Sequence, residues 1–475
     1  MSRYNHNLVV VGAGSAGLVA ALVASTAGAR VVLVERDKMG GDCLHTGCVP
    51  SKALIASAKA AYRLNDATSY GLRNVQGDVD FRAVMARVHD VIASIAPKDS
   101  IARYESLGVD CVHGHAEIHD PHCVFVDGVG YKTKNILIAS GAEPVALPIP
   151  GLDDDDCLTS TNLWSLQELP ERLVVVGGGP IGCELAQAFN RLGSDVTLVE
   201  TEDRLLPRED KEVGTLMADI FGREGIRVLT GYRPDKCVGK RLSVTGSISV
   251  EELNFDHILI AAGRRSRTTG LGIEKLGIGT EPNGTLVVDR YLRTAVDSIY
   301  AAGDVVGPYQ FTHMAGHQAW IAAANALARP FWRYALDESV VPWATFTDPE
   351  VARVGLSEEQ ARALGRDIAV THYELDDVDR ARTEGQTEGF VKLITARGSD
   401  RLLGALVVGP EAGEIISEYV TAMTHGLGLR KIFSTIHVYP TLMDAARLAA
   451  GTWRRKNVSE RLLGLSQRVN EYRRL

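Results

Sequence analysis

Aromatic residues are scarce in this 475-residue chain, at 6%. Basic residues are outnumbered as well: 51 Lys and Arg stand against 59 Asp and Glu, a net charge of −8. That balance argues against a nucleic-acid surface, so nucleic acid is not an expected partner. Its seven cysteines, an odd number, are not the even framework of a disulfide-stapled secreted domain. A reducing cytosol is the compartment expected, and any disulfide there is a working one. Hydrophobic residues at 45% and charged residues at 23% exclude disordered, collagen-like and coiled-coil classes. Length alone suggests about three domains. What is plentiful is glycine, at 47 residues, which points to tight turns around ligands.

Charge is missing altogether from residues 4–29, and Leu8–Ala24 is almost wholly apolar. Taken alone, that stretch imitates an export signal. A second copy inside the chain argues otherwise. Leu8-Val-Val-Val-Gly-Ala-Gly-Ser-Ala-Gly17 matches Leu173-Val-Val-Val-Gly-Gly-Gly-Pro-Ile-Gly182 at a shift of 165 residues. The register holds onward, from Gly28 on Gly193 to Leu33-Val34-Glu35 on Leu198-Val199-Glu200. Each copy reads as a buried strand, a glycine turn, a helix and a second strand closing on an acid. Gly12 permits the tight turn, Gly14 lets backbone approach a pyrophosphate, and Gly17 lets helix and strand pack closely. Gly177, Gly179 and Gly182 repeat that set. Glu35 and Glu200 stand where a carboxylate accepts from a ribose hydroxyl. One such fingerprint is weak evidence; two in register, each with its acid, predict two nucleotide sites.

Gly40-Gly41-Asp42-Cys43-Leu-His-Thr-Gly-Cys48-Val-Pro-Ser-Lys52 follows the first copy and runs into a helical pattern, Ala53–Arg63. A zinc site needs about four ligands, and no second pair stands at metal spacing. A structural disulfide does not suit a reducing compartment. A redox dithiol fits best, since a helix N-terminus and Lys52 both favour a thiolate. No metal site is expected.

These marks resemble the flavoprotein disulfide reductases, a family that includes dihydrolipoyl dehydrogenase, glutathione reductase and mercuric reductase. Further marks are Ile138-Ala-Ser140-Gly141, Thr294-x5-Tyr300-Ala-Ala-Gly-Asp304, Gly263-Arg264 and Thr347-Asp-Pro-Glu-Val-Ala-Arg-Val-Gly355. The resemblance implies an α/β chain with two Rossmann-like domains, for FAD and NAD, and an α+β C-terminal dimerisation domain. The FAD domain is expected at 1–150 and 272–340, the NAD(P) domain at 151–271, and the interface domain at 341–475. Asp153–Asp156 reads as a solvated linker. FAD is implied on Gly12, Gly14, Gly17, Glu35, Gly41, Asp42, Lys52, Ala116, Ser140, Gly141, Asp304 and Ala315. NADH, or NADPH, is implied on Gly177, Gly179, Ile181, Gly182, Glu200 and Gly263. By the same resemblance Cys48 is the charge-transfer thiolate, Cys43 the interchange thiol, and Lys52 and Glu184 an ion pair beside flavin and nicotinamide. Electrons run from nicotinamide to flavin to the Cys43–Cys48 disulfide to an acceptor, within a homodimer.

The chain departs from that pattern near its end. Dihydrolipoyl dehydrogenases and glutathione reductases carry His-Pro-Thr and then an acid; here the segment is His437-Val-Tyr439-Pro-Thr-Leu-Met-Asp444. Tyr439 takes the place of the catalytic imidazole and Asp444 that of its acid. A phenol of pKa near ~10, against ~6.5 for imidazole, is poorly matched to shuttle protons at neutral pH. Mercuric reductases also carry Tyr there, and a soft metal ion needs thiolates and electrons more than an imidazole. Against dedicated mercury detoxification, the chain shows no C-terminal cysteine pair and no N-terminal metal-binding domain. The first expectation is therefore a reductase of a soft metal ion or other small acceptor. The alternatives are dihydrolipoyl dehydrogenase and a flavin-bound redox sensor. Asp42, in place of Thr, has no explanation from sequence; His45, in place of Asn, reads as structural. His313 and His317 read as capping or packing residues, and the other five cysteines as small packing residues. Residues 453–475, with seven Lys or Arg against two acids and with Leu462, Leu463, Leu465 and Val469, read as an amphipathic helix on the dimer, membrane contact being the sharper reading.

Overall fold

The computed structural model describes residues 3–75 and 77–474. They form two compact units, one of residues up to 205 with 218–337, the other of 206–217 with 338–474.

In the first unit, the apolar run after His6 makes the strand His6–Val11, whose Leu8, Val9 and Val10 are fully buried. It pairs in parallel with Val31–Glu35 and Val129–Ile138, and Val31–Glu35 pairs in parallel with Val109–His113. Such runs, apolar on both faces, belong to a sheet covered on both sides. The sheet has seven strands, and Ile299–Ala301 joins it from far along the chain against Val129–Ile138. On one face the helix Ser15–Thr26 meets the helix Thr312–Ala328. Small side chains make that contact, among them Ala16, Ala20, Ala24, Ala315, Ala319 and Ala323, so the helices approach closely. The apolar, uncharged stretch at the start of the chain is thus one strand and one helix of a core. No helix among the described residues is long and apolar enough to cross a membrane.

The second copy builds a five-stranded parallel sheet from Arg227–Thr230, Asp195–Glu200, Arg172–Val176, His257–Ile260 and Cys157–Leu158. A three-stranded meander, Arg233–Cys237, Arg241–Thr245 and Val250–Asn254, is inserted in the chain between the strands Arg227–Thr230 and His257–Ile260. The chain passes between the two large sheets twice, and the two crossings pair as a ribbon, Ala142–Pro144 against Arg264–Ser266.

The second unit is a five-stranded antiparallel sheet, ordered Pro342–Thr345, Glu350–Gly355, Leu402–Gly409, Phe390–Ala396 and Ile368–Glu374. The helices Ala412–Thr424 and Asp444–Lys456 pack against it. The segment Leu206–Met217, inside the span expected for the NAD domain, belongs here instead. Charge fastens it. Arg353, with only 2% of its side chain exposed, pairs with Glu209 at 2.8 Å, donates to the Arg208 carbonyl and lies over the Trp343 ring. Lys392, 6% exposed, reaches Asp210 at 3.0 Å, Glu212 at 2.9 Å and Glu358 at 2.6 Å. The C-terminal helix Glu460–Tyr472 forms, with Leu463, Leu465 and Val469 exposed; the Leu462 side chain lies outside the described residues.

Lys392→Met, which strands three carboxylates around a buried methyl group, is expected to destabilise the protein by about 3–5 kcal/mol in denaturant unfolding. Burial opposes ionisation of Asp210 and Glu358, yet the Lys392 ammonium beside them holds both below the usual carboxylate range. Their stabilisation is therefore present above that range and is lost as pH falls through the lowered values. The variant should lose that acid-side dependence, and an unchanged pH profile would show that the cluster is not a clasp.

Candidate functional site

The two nucleotide units repeat one another bond for bond. Gly12 and Gly177 both sit at positive φ, +103° and +113°. A Cβ there would meet the carbonyl oxygens of Ala139 and Ala261 at 2.4 and 2.5 Å, so only glycine makes the turn. Gly17 and Gly182 each carry the helix past the previous turn so closely that a Cβ would lie 1.8 Å from its carbonyl oxygen. The closing acids are fixed alike. Glu35 accepts from the Ala13 and Asp37 amides at 2.6 and 2.9 Å. Glu200 accepts from Gly178 and Glu202 at 2.5 and 2.8 Å.

A cavity of ≈ 380 Å³ opens over the first turn. Gly12, Gly14, Glu35, Gly41, Asp42 and Cys43 line it from one side. Ala116, Ser140, Gly141, Asp304, Thr312 and Ala315 complete the wall. Gly17 lies behind it, buried at the helix–strand crossing, and Lys52 stands outside it. Gly179 and Ile181 open the helix Pro180–Leu192, with Ile181 exposed, and Gly263 leads into the returning crossing strand. The donor set suits a dinucleotide. The helix Ser15–Thr26 starts without a side-chain cap, so its first amides are offered to an anion, and Glu35 offers oxygens to a ribose. A side chain at Gly41 would run into Gly14 at 2.7 Å and close the cradle.

The cysteine loop lies at two helix starts. Cys48 is the first residue of the helix Cys48–Asn65, and its Sγ lies 3.4 Å from the hydroxyl of Thr312, first residue of the helix Thr312–Ala328. Lys52, one turn on, pairs with buried Glu184 at 2.8 Å. The two cysteines are not joined by a disulfide in this structure. The hydrogen bond from Cys43 carries the Cys48 pKa down to about 5, helped by Thr312 and the Lys52 ammonium against the cost of burial. The same bond, with burial, pushes Cys43 far upward. The thiolate therefore rests on Cys48, with the proton on Cys43. Thr312 had no signal in the sequence, because the fold alone brings it 264 residues back to Cys48.

His45 donates from Nε2 to the Met39 carbonyl, 2.8 Å away, a contact of the structural kind read for it. Asp42 now has an account: it pairs with Arg264, and Arg267 stands 3.7 Å away. His313 stacks on Phe311 and His317 on Trp320, each a packing role on the helix that starts at Thr312. Cys123, Cys183 and Cys237 are buried; Cys111, half-buried, is raised by burial to about 11 and stays a thiol.

In the second unit, Tyr439 is 68% exposed and its hydroxyl donates to Asp379 at 3.0 Å. That bond raises the phenol pKa above its ordinary value. The expected orienting acid, Asp444, acts on the phenol only through its charge: it is buried, accepting from Thr441 and Arg447 at 3.5 Å each. Helix packing turns Asp444 inward, so Asp379 is the residue the sequence did not disclose. His437 is held at both nitrogens, by the Thr435 carbonyl at 3.0 Å and by Glu418 at 2.9 Å. Both of its ring nitrogens are occupied, which leaves none free for a substrate proton.

Residues 6–319 match the model of the pyridine nucleotide-disulphide oxidoreductases, and residues 341–450 match that family's dimerisation domain. The chain belongs to this family. A mercuric reductase of Streptomyces lividans is 38% identical over 94% of the chain and 96% of its own length. A dihydrolipoyl dehydrogenase of Chlamydia muridarum is 35% identical over 92% of the chain and 94% of its own. Among solved structures, LpdA from Mycobacterium tuberculosis superposes with a TM-score of 0.86 at 30% identity, covering 95% of this chain and 100% of that one. A Cu(II) complex of the HOCl-induced flavoprotein disulfide reductase RclA from Escherichia coli gives 0.83 at 30%, covering 95% and 99%. The pyridine nucleotide-disulphide oxidoreductases use FAD and NAD(P)H, and the protein is an oxidoreductase of that class.

Proposed function

We propose that the protein is a homodimeric, NADH-driven reductase that passes electrons through the Cys43–Cys48 pair to a soft metal ion or another small acceptor. FAD, when bound, supplies the two-electron relay between nicotinamide and the disulfide. Gly12, Gly14, Glu35 and Asp304 hold it, while Gly177, Gly179 and Glu200 hold the nicotinamide cofactor. Lys52, tied to Glu184, and Thr312 keep Cys48 a thiolate, and Cys43 keeps the proton and faces the acceptor. The phenol at 439 carries the choice of acceptor. Bonded to Asp379 and raised in pKa, it holds its proton at neutral pH and cannot serve as the base a dithiol substrate needs. Thiolates suit a soft cation without that base. The mercuric reductase relative and the Cu(II) complex of a structural neighbour agree with this reading.

The test is NADH oxidation, in parallel, against lipoamide, oxidised glutathione, Hg(II), Cu(II) and a quinone. Metal ions should outrun lipoamide; lipoamide turning over fastest would favour a dihydrolipoyl dehydrogenase instead. In the same assays NADH should be preferred over NADPH, because Glu200 accepts from a free ribose hydroxyl and repels a 2′-phosphate. A clear NADPH preference would overturn the assignment of Glu200.

A further inference from the structure

Asp42 and Asp304 are two of the four carboxylates that line the cavity, with Glu35 and Asp37, and FAD would bring a diphosphate with two more negative charges. Like charges so placed disfavour one another. One guanidinium stands between them. Arg264 Nη2 donates to Asp42 and, at 3.0 Å, to the Ala142 carbonyl, and lies 3.7 Å from Asp304. Its side chain is only 17% exposed, and its buried Nε has no hydrogen-bond partner among the described residues. Arg264 belongs to the ribbon where the chain returns from the second sheet, so its place is fixed by strand pairing with Ala142–Pro144. Arg267, just beyond, stands 3.7 Å from Asp42 and 3.4 Å from Glu143. Burial holds the Asp304 pKa up, Asp42 pushes it the same way, and Arg264 opposes both.

We propose that Asp42 and Arg264 form a matched charge pair, in which Arg264 neutralises Asp42 and Asp304 so that the wall beside them accepts the diphosphate of FAD. Arg264 is then a positioning residue for the cofactor, and Asp42, immediately before Cys43, ties the redox loop to it. The proposal rests on the reading that this cavity holds FAD. Deleting the arginine charge leaves Asp42 and Asp304 facing a diphosphate with Arg267, 3.7 Å from Asp42, as the remaining guanidinium. Deleting Asp42 as well removes one source of that repulsion.

Arg264→Gln and Asp42→Asn/Arg264→Gln are compared with wild type as purified, by flavin-to-protein ratio, and then by FAD titration of flavin-depleted protein. Arg264→Gln should weaken FAD by about tenfold or more, the scale of a truncated buried charge pair. The double variant should recover most of that loss, and high salt should narrow the gap between them. A double variant that binds FAD no better than Arg264→Gln overturns the pairing. Far-UV circular dichroism checks that each variant folds. Should Arg264→Gln not fold, Arg264→Lys decides: it keeps the charge and should hold FAD near the wild-type level, and loss of FAD from a folded lysine variant overturns the proposal. Wild-type protein that takes up no FAD would instead remove the reading of the cavity.

Discussion

Cys48→Ser and Cys43→Ser should each abolish acceptor turnover, yet leave very different thiols behind. In the Cys43→Ser protein the remaining Cys48 keeps Thr312 and Lys52 beside it, and the hydroxyl of the new serine can still donate. Its alkylation by iodoacetamide should fall off only at acid pH, below the ordinary thiol range. In Cys48→Ser the lone Cys43 should react only at alkaline pH. The absolute rate at pH 7 is a poor diagnostic. Relative to an ordinary thiol, a fall of ~4 pKa units raises the thiolate fraction by ~100-fold but lowers intrinsic nucleophilicity by ~60-fold, at a Brønsted slope of 0.4–0.5. The two nearly cancel, so the pH profile decides. An alkaline alkylation profile for Cys43→Ser would show that Cys48 is not the thiolate.

Tyr439→His should raise turnover of a dithiol substrate by about 10²–10⁴-fold, the usual worth of a general acid–base, and leave reduction of the bound flavin by NADH unchanged. The substitution needs no second change at Asp444, which is occupied by Thr441 and Arg447. Asp379, 3.0 Å from the phenol oxygen, stands ready to orient the new ring. Stopped-flow flavin reduction and steady-state dihydrolipoamide oxidation separate the two half-reactions. A wild-type enzyme already fast with dihydrolipoamide would show that the phenol is no handicap, and the preference for metal ions would fall with it.

The two nucleotide units were legible because each glycine serves a contact between residues close in sequence. Gly17 passes the carbonyl of Gly12, and Glu35 closes on Ala13. The cysteine loop was legible for the same reason, with Lys52 one helical turn from Cys48. What stayed hidden depends on long-range folding. Thr312 reaches Cys48 only because Ile299–Ala301 returns to the first sheet and sets the following helix. Arg264 reaches Asp42 only through the crossing ribbon. Asp379 sat in an unremarkable acidic stretch, and only the fold of the second unit sets it against Tyr439. The segment Leu206–Met217 lies in the span expected for the NAD domain by sequence, but buried ion pairs to Arg353 and Lys392 place it with the antiparallel sheet.

Differential alkylation read by mass spectrometry tests the central claim most directly, since it follows the electrons through the cysteines themselves. Protein reduced anaerobically with NADH should expose two new alkylatable thiols, on Cys43 and Cys48 alone among the seven cysteines. Two equivalents of Cu(II), a one-electron acceptor, should then be reduced to Cu(I) as that pair returns to the disulfide and the two thiols vanish together. Copper reduced at full rate while Cys43 and Cys48 keep their oxidation state, or in a protein lacking both, would contradict it.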